Sequence, residues 1–129
     1  MSDLYQAIIL DELKNPQNKQ PLAHPAVVVT ETNASCGDDI TVELQFAGDA
    51  TIAAVGWQGN GCAISQAGMS LLSEKIKGMT KQAVLELDAH SMEELLGLQT
   101  PIAYGRVKCL MLSLSAIKKG ILQSSVVTN

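Results

Sequence analysis

At 129 residues, 47% of them apolar and 17% charged, the chain is large enough for one hydrophobic core and too apolar to stay disordered. An aromatic share of 3% and a net charge of −4 exclude a base-stacking surface and a basic groove, so no nucleic acid is expected as a partner. No run approaches the roughly 20 apolar residues of a membrane span, and Met1-Ser2-Asp3 opens no basic-then-apolar leader, so the expectation is a cytoplasmic protein with reduced thiols.

In chain order, Leu4, Ala7, Ile8 and Leu13 recur near helical spacing and predict a helix over Asp3 to Lys14. It stops at Asn15-Pro16, because the residue before a proline is pushed out of the α region. A Pro/Asn/Gln-rich loop runs from Asn15 to Pro25. The β-branched Val27-Val28-Val29-Thr30 predicts a first strand. Ile40, Val42, Leu44 and Phe46 alternate with Thr41, Glu43 and Gln45, which predicts a second strand with one face buried. Ala47-Gly48-Asp49-Ala50 supplies turn residues, and Thr51 to Trp57 returns as a third strand. Short neighbouring strands with tight turns imply an antiparallel sheet.

Helical spacing takes over after Cys62, where Ile64, Ala67, Leu71, Leu72 and Ile76 form one stripe that ends before Gly78. Thr80 is suited to cap a short helix through Leu87. Ser91-Met92-Glu93-Glu94 reads as a capping box with Ser91 as N-cap, opening a short helix that ends at Gly97. The last helix is predicted from near Arg106, with a stripe of Val107, Leu110, Leu114, Ile117 and Ile121. Lys118 and Lys119 are read as lying near its C-terminal end, where cations suit the helix dipole. Strands first and helices later give an α+β class: a three-stranded antiparallel sheet packed by several helices, in one domain over residues 1–129.

The three cysteines sit at element boundaries. Cys36 lies in the turn before the second strand, Cys62 in the glycine-rich Gly59-Asn60-Gly61 turn that starts a helix, and Cys109 in the first turn of the last helix. Helix N-termini present unpaired N–H groups and partial positive charge, which favour thiolate. An odd number of thiols in a reducing compartment points to ligation or sulfur chemistry rather than a disulfide framework. There is no Cys-x-x-Cys pair, so the spacing is not that of a zinc finger. Three cysteines leave a four-coordinate ion one ligand short. Asp38, two residues past Cys36, can point to the same side in an extended stretch, and Asp39 competes with it. His24 and His90 read as surface or cap residues. No nucleophile elbow, phosphate loop or dinucleotide fingerprint is present.

At these residues the sequence resembles the scaffold family of iron–sulfur cluster assembly: IscU, SufU and the N-terminal domain of NifU. Asn15-Pro16-Gln17-Asn18 is similar to the Asn-Pro-Arg-Asn after the family's first helix. Cys36-Gly37-Asp38 matches its Cys-Gly-Asp motif, Gly61-Cys62-Ala63-Ile64-Ser65 the Gly-Cys-x-Ile-Ser of SufU-like members, and Lys108-Cys109 the setting of the third cysteine. The resemblance implies a small antiparallel sheet packed by helices. It implies a scaffold that takes sulfur from a cysteine desulfurase, binds iron and a transient [2Fe–2S] cluster, and passes the cluster to apo-proteins or carriers.

Cys36, Asp38, Cys62 and Cys109 would be the ligands, with Cys109 as the persulfide acceptor. Lys108 stands where IscU-type members place a histidine. That gives Asp38 more weight and opens the alternative of a zinc-dependent sulfurtransferase, an enzyme where the scaffold is not one. The segment between Gly78 and Gly105 is too short for the insertion of SufU-type members. Thr100-Pro101-Ile102-Ala103-Tyr104 replaces the Leu-Pro-Pro-Val-Lys that meets an Hsp70-type chaperone, so the resemblance does not carry that partner over.

Overall fold

The computed structural model describes residues 3–33, 37–48, 50–98 and 107–127. Helix α1 (Asp3–Lys14) precedes strands β1 (Val27–Asn33), β2 (Asp38–Ala47) and β3 (Thr51–Asn60). Helices α2 (Ala63–Lys75), α3 (Lys81–Leu85), α4 (Ala89–Leu95) and α5 (Val107–Val127) follow. The strands form one antiparallel sheet in the order β1-β2-β3, as the α+β reading expects.

The alternation read in the second strand becomes the sheet's inner face. Val27 stands opposite Leu44, Val29 opposite Val42, Glu31 opposite Ile40, and Asn33 opposite Asp38. Ile40, Val42, Leu44 and Trp57 are almost wholly buried, beneath a layer in which α5 covers β1 and β2 and α2 lies beside it. Gly120 lets the α5 backbone approach: a Cβ there would lie 3.0 Å from Leu44 Cδ1. The predicted α5 stripe is the buried one at Leu110, Leu114, Ile117 and Ile121.

Several boundaries differ from the sequence reading, each for an identifiable reason. β1 runs three residues past Thr30, because Glu31, Thr32 and Asn33 complete the ladder with Ile40, Asp39 and Asp38 despite their polarity. β3 likewise continues past Trp57, so Gly59 and Asn60 belong to a strand rather than a turn. Gly59 suits that place because a Cβ would fall 2.4 Å from the Asp39 carbonyl oxygen. The α4 N-cap is Asp88, not Ser91: Asp88 accepts from the Ser91 N–H at 3.0 Å, and Ser91 Oγ accepts from the Asp88 N–H at 3.2 Å. Helix α5 extends to Val127, which leaves Lys118 and Lys119 well inside it. Their charges meet the Leu87 carbonyl and Glu31 instead of the helix end. The predicted start at Arg106 and the segment Thr100 to Tyr104 lie outside the described residues.

Glu43, expected on the polar face, is 9% exposed because its carboxylate accepts from the Leu22 N–H at 3.0 Å. The loop after α1 therefore covers the sheet's outer face. It also lines the open edge of β3, where the Trp57 N–H donates to the Asn18 carbonyl at 3.1 Å. The inward face of α1 is Ile9 and Glu12, while Leu10 and Leu13 face solvent.

Candidate metal centre

Three ligand-type side chains converge where the polar end of the sheet meets the first turns of α2 and α5. One carboxylate oxygen of Asp38 and the sulfurs of Cys62 and Cys109 lie within 4.8 Å of one another. Metal–ligand bonds of about 2.0–2.3 Å span nearly that separation.

Asp38 opens β2, is 2% exposed, and stands on the inner face. Its Oδ1 accepts from the Cys62 N–H at 3.0 Å. Its Oδ2 is buried with no hydrogen-bond partner among the described residues. Cys62 is the N-cap of α2 in extended conformation and remains half-buried. Its sulfur lies 3.6 Å from Ser65 Oγ, which donates to the Cys62 carbonyl at 3.0 Å. Cys109 is the third residue of α5 and is 4% exposed.

Gly61 makes this junction possible. It adopts φ +155°, and a Cβ there would lie 2.7 Å from Asp38 Cγ and 2.8 Å from Ser65 Oγ. A side chain at that position would force Asp38 and Cys62 apart. Asp39, the competing carboxylate, is outside the group and reaches the Asn60 N–H at 3.4 Å. Cys36 lies outside the described residues. His24 is exposed, and His90 pairs with Glu93 and Glu94 at 3.8 and 2.7 Å on the surface of α4.

Lys108 is exposed and borders a cleft of about 480 Å³ between β1 and α5, shared with Glu31, Asn33, Met111, Leu112 and Ser115. Burial pushes the Glu31 carboxyl up, but hydrogen bonds from Lys119 and Ser115, together with the Lys119 charge, outweigh it and hold the group below its ordinary value. Sequence reasoning missed two polar residues here, Ser65 beside the Cys62 sulfur and Asn33 opposite Asp38. Ser65 had a usable signal in its place three residues past an N-cap. Asn33 had another, as a polar residue on the buried phase of β1.

Known proteins share this arrangement of sheet and helices. The family model for the NifU-like N terminal domain matches residues 4–126. The chain belongs to this family. Among NifU-like relatives, the zinc-dependent sulfurtransferase SufU of Bacillus subtilis (strain 168) is 30% identical, over 94% of this chain and 91% of the relative. The iron–sulfur cluster assembly scaffold protein IscU of Streptococcus pyogenes serotype M1 is 29% identical, over 97% and 87%. A solved structure described as a candidate SUF-system iron–sulfur cluster assembly scaffold, from Fervidobacterium islandicum AW-1, superposes with a TM-score of 0.72 at 30% identity, covering 94% of this chain and 96% of that one. An N-terminal NifU-like protein from Brucella abortus shares the fold, with a TM-score of 0.79 at 21% identity over 96% of both chains. Among the described residues no helix is long and apolar enough to cross a membrane.

Proposed function

We propose that the chain is a cytoplasmic iron–sulfur cluster assembly scaffold, one domain over residues 1–129, in which Cys36, Asp38, Cys62 and Cys109 hold the cargo. One observation carries this reading. A buried carboxylate oxygen lacks any hydrogen-bond partner among the described residues and belongs to a group whose ligand atoms, including two cysteine sulfurs, lie within 4.8 Å of one another. An uncompensated buried carboxylate is costly, and a cation is the group that would compensate it. Two soft sulfurs and one hard oxygen suit iron and zinc alike, and the oxygen makes the set more labile than thiolates alone. Lability is what a protein that must release iron or a [2Fe–2S] cluster requires.

The sulfur donor in this reading is a cysteine desulfurase. A site thiolate attacks the outer sulfur of the donor's persulfide; a new S–S bond forms, the donor's S–S bond breaks, and the donor leaves as thiolate. Access bears on which thiol acts. Cys109, the acceptor implied by resemblance, is 4% exposed, whereas Cys62 is only half-buried. Cys62 is therefore the better entry point among the described thiols, with Cys109 close enough to take part next. Apo-proteins or carriers receive the product.

A zinc-bound sulfurtransferase is the second reading. It is favoured by the Bacillus subtilis relative's name and by Lys108, which stands in place of a nitrogen ligand. Anaerobic reconstitution with iron and sulfide separates the two. A visible cluster spectrum that disappears in Cys62→Ala supports the scaffold. Tight zinc, no cluster and strong stimulation of a desulfurase would sink it in favour of the sulfurtransferase.

A further inference from the structure

We infer that Asn33 is a further residue of this site, whose side-chain amide donates a hydrogen bond to a sulfur held there. The inference rests on the proposed metal and sulfur role of the Asp38–Cys62–Cys109 group. Asn33 ends β1 directly opposite Asp38, and directly opposed residues of an antiparallel pair project from the same face. That face is apolar at Val29, Ile40 and Val42, carries Glu31 opposite Ile40, and is polar on both strands at this last rung. Asn33 is 7% exposed, and its Nδ2 is buried with no acceptor among the described residues. A buried amide in that condition destabilises the protein unless something arrives to accept from it.

The nearby chemistry identifies the acceptor. Asp38 Oδ1 is already engaged by the Cys62 N–H, and Asp38 Oδ2 is buried without a described partner, as an oxygen reserved for a cation would be. An N–H donor cannot serve a cation but matches an anionic sulfur. Asn33 shares a cleft with Lys108 and Leu112, which lie one residue before and three after Cys109 on α5, so its side chain sits against the helix that carries the thiol. The two residues of this rung therefore serve opposite charges, the carboxylate meeting the cation and the amide meeting the negative charge on sulfur. Hydrogen bonds to metal-bound sulfur are a recognised means of orienting ligands and tuning their donor strength.

The test uses the full chain carrying Asn33→Leu, which keeps the branching of the side chain and removes the donor. Zinc affinity is measured by competition with a chromophoric chelator, the sulfur-to-cobalt charge-transfer band is recorded with Co²⁺, and the metal-free melting temperature is taken alongside. Zinc binding should weaken about tenfold or more, and the cobalt band should move to longer wavelength as the sulfur loses its donor. The metal-free protein should melt at the wild-type temperature or above, because the group removed is a buried amide with no acceptor among the described residues. Wild-type affinity with an unmoved band would overturn the inference. Asn33→Asp, nearly isosteric and without the amide donor, repeats the spectral test if the Leu variant does not fold, and an unmoved band there overturns it equally. Wild-type protein that binds neither metal would fail the proposed function and this inference together. Wild-type binding that is lost in Cys62→Ala leaves the function standing, and the Asn33 result alone then decides.

Discussion

Two buried polar clusters lie on different sides of α2, and they are built on opposite rules. At the α1 side, Glu12 Oε1 accepts from Ser70 Oγ at 2.6 Å and from Gln17 Nε2 at 3.0 Å. The Gln17 N–H donates to Ser70 Oγ at 2.7 Å, and Trp57 Nε1 donates to the Gln17 carbonyl at 2.7 Å. Asn18, at φ +61°, is fixed there by bonds to Ser73 and Glu74 and by one from Lys77. At the thiol side, the described buried side-chain atoms without partners are Asn33 Nδ2, Asp38 Oδ2 and Ser113 Oγ, the last one helical turn beyond Cys109. Closed polar burial fastens α1 and its loop to the body of the fold. Open polar burial, with no partner among the described residues, lies where the proposed cargo would sit.

The contrast makes graded predictions for the stability of the metal-free protein. Trp57→Ala should have the largest effect, about 3–5 kcal/mol by chemical denaturation, since it empties a fully buried site and leaves the Gln17 carbonyl only its longer bond from Ser73 Oγ. Ser70→Ala should cost about 1–3 kcal/mol by leaving the Gln17 N–H unpaired, with zinc affinity unchanged. Lys119→Met should cost less than about 1 kcal/mol at neutral pH, because the pair with Glu31 is largely exposed on the lysine side. Glu31 has a depressed folded value, so its contribution is present above the ordinary 4.5 and is lost as pH falls through that lower folded value. Melting curves of wild type and Lys119→Met should therefore converge in acid. The smallest effect belongs to Asp38→Asn, which keeps the acceptor for the Cys62 N–H and should leave metal-free stability equal or higher while zinc binding falls sharply. A stability loss as large as that of Ser70→Ala would erase the distinction between the clusters.

The sequence shows the open cluster better than the closed one. Period-two alternation from Ile40 to Phe46 and the α5 stripe expose the sheet and its covering helix, because burial there follows apolarity. The cysteines stand out by type, and Cys-Gly-Asp directs attention to Asp38. Glu12 is hidden, since a buried carboxylate on a helix looks the same as a solvated one until Ser70, distant in the chain, is seen against it. Asn33 falls beyond the predicted strand of residues 27–30 and Gly59 reads as a turn residue, because register, not composition, keeps them in strands. Asp88 does not stand out as N-cap because Ser91 fits the capping pattern equally well in sequence, and only the backbone decides between them.

The three converging side chains come from β2, from the turn into α2, and from α5. Asp38 and Cys62 can meet as soon as the sheet and α2 have formed, but Cys109 arrives only when the last helix docks. During synthesis, then, a half-made molecule holds an incomplete set of donors and has little grip on a metal. If this group holds the cargo as proposed, loading would wait until the last helix has docked, and the capacity to take up cargo would certify that the molecule is finished.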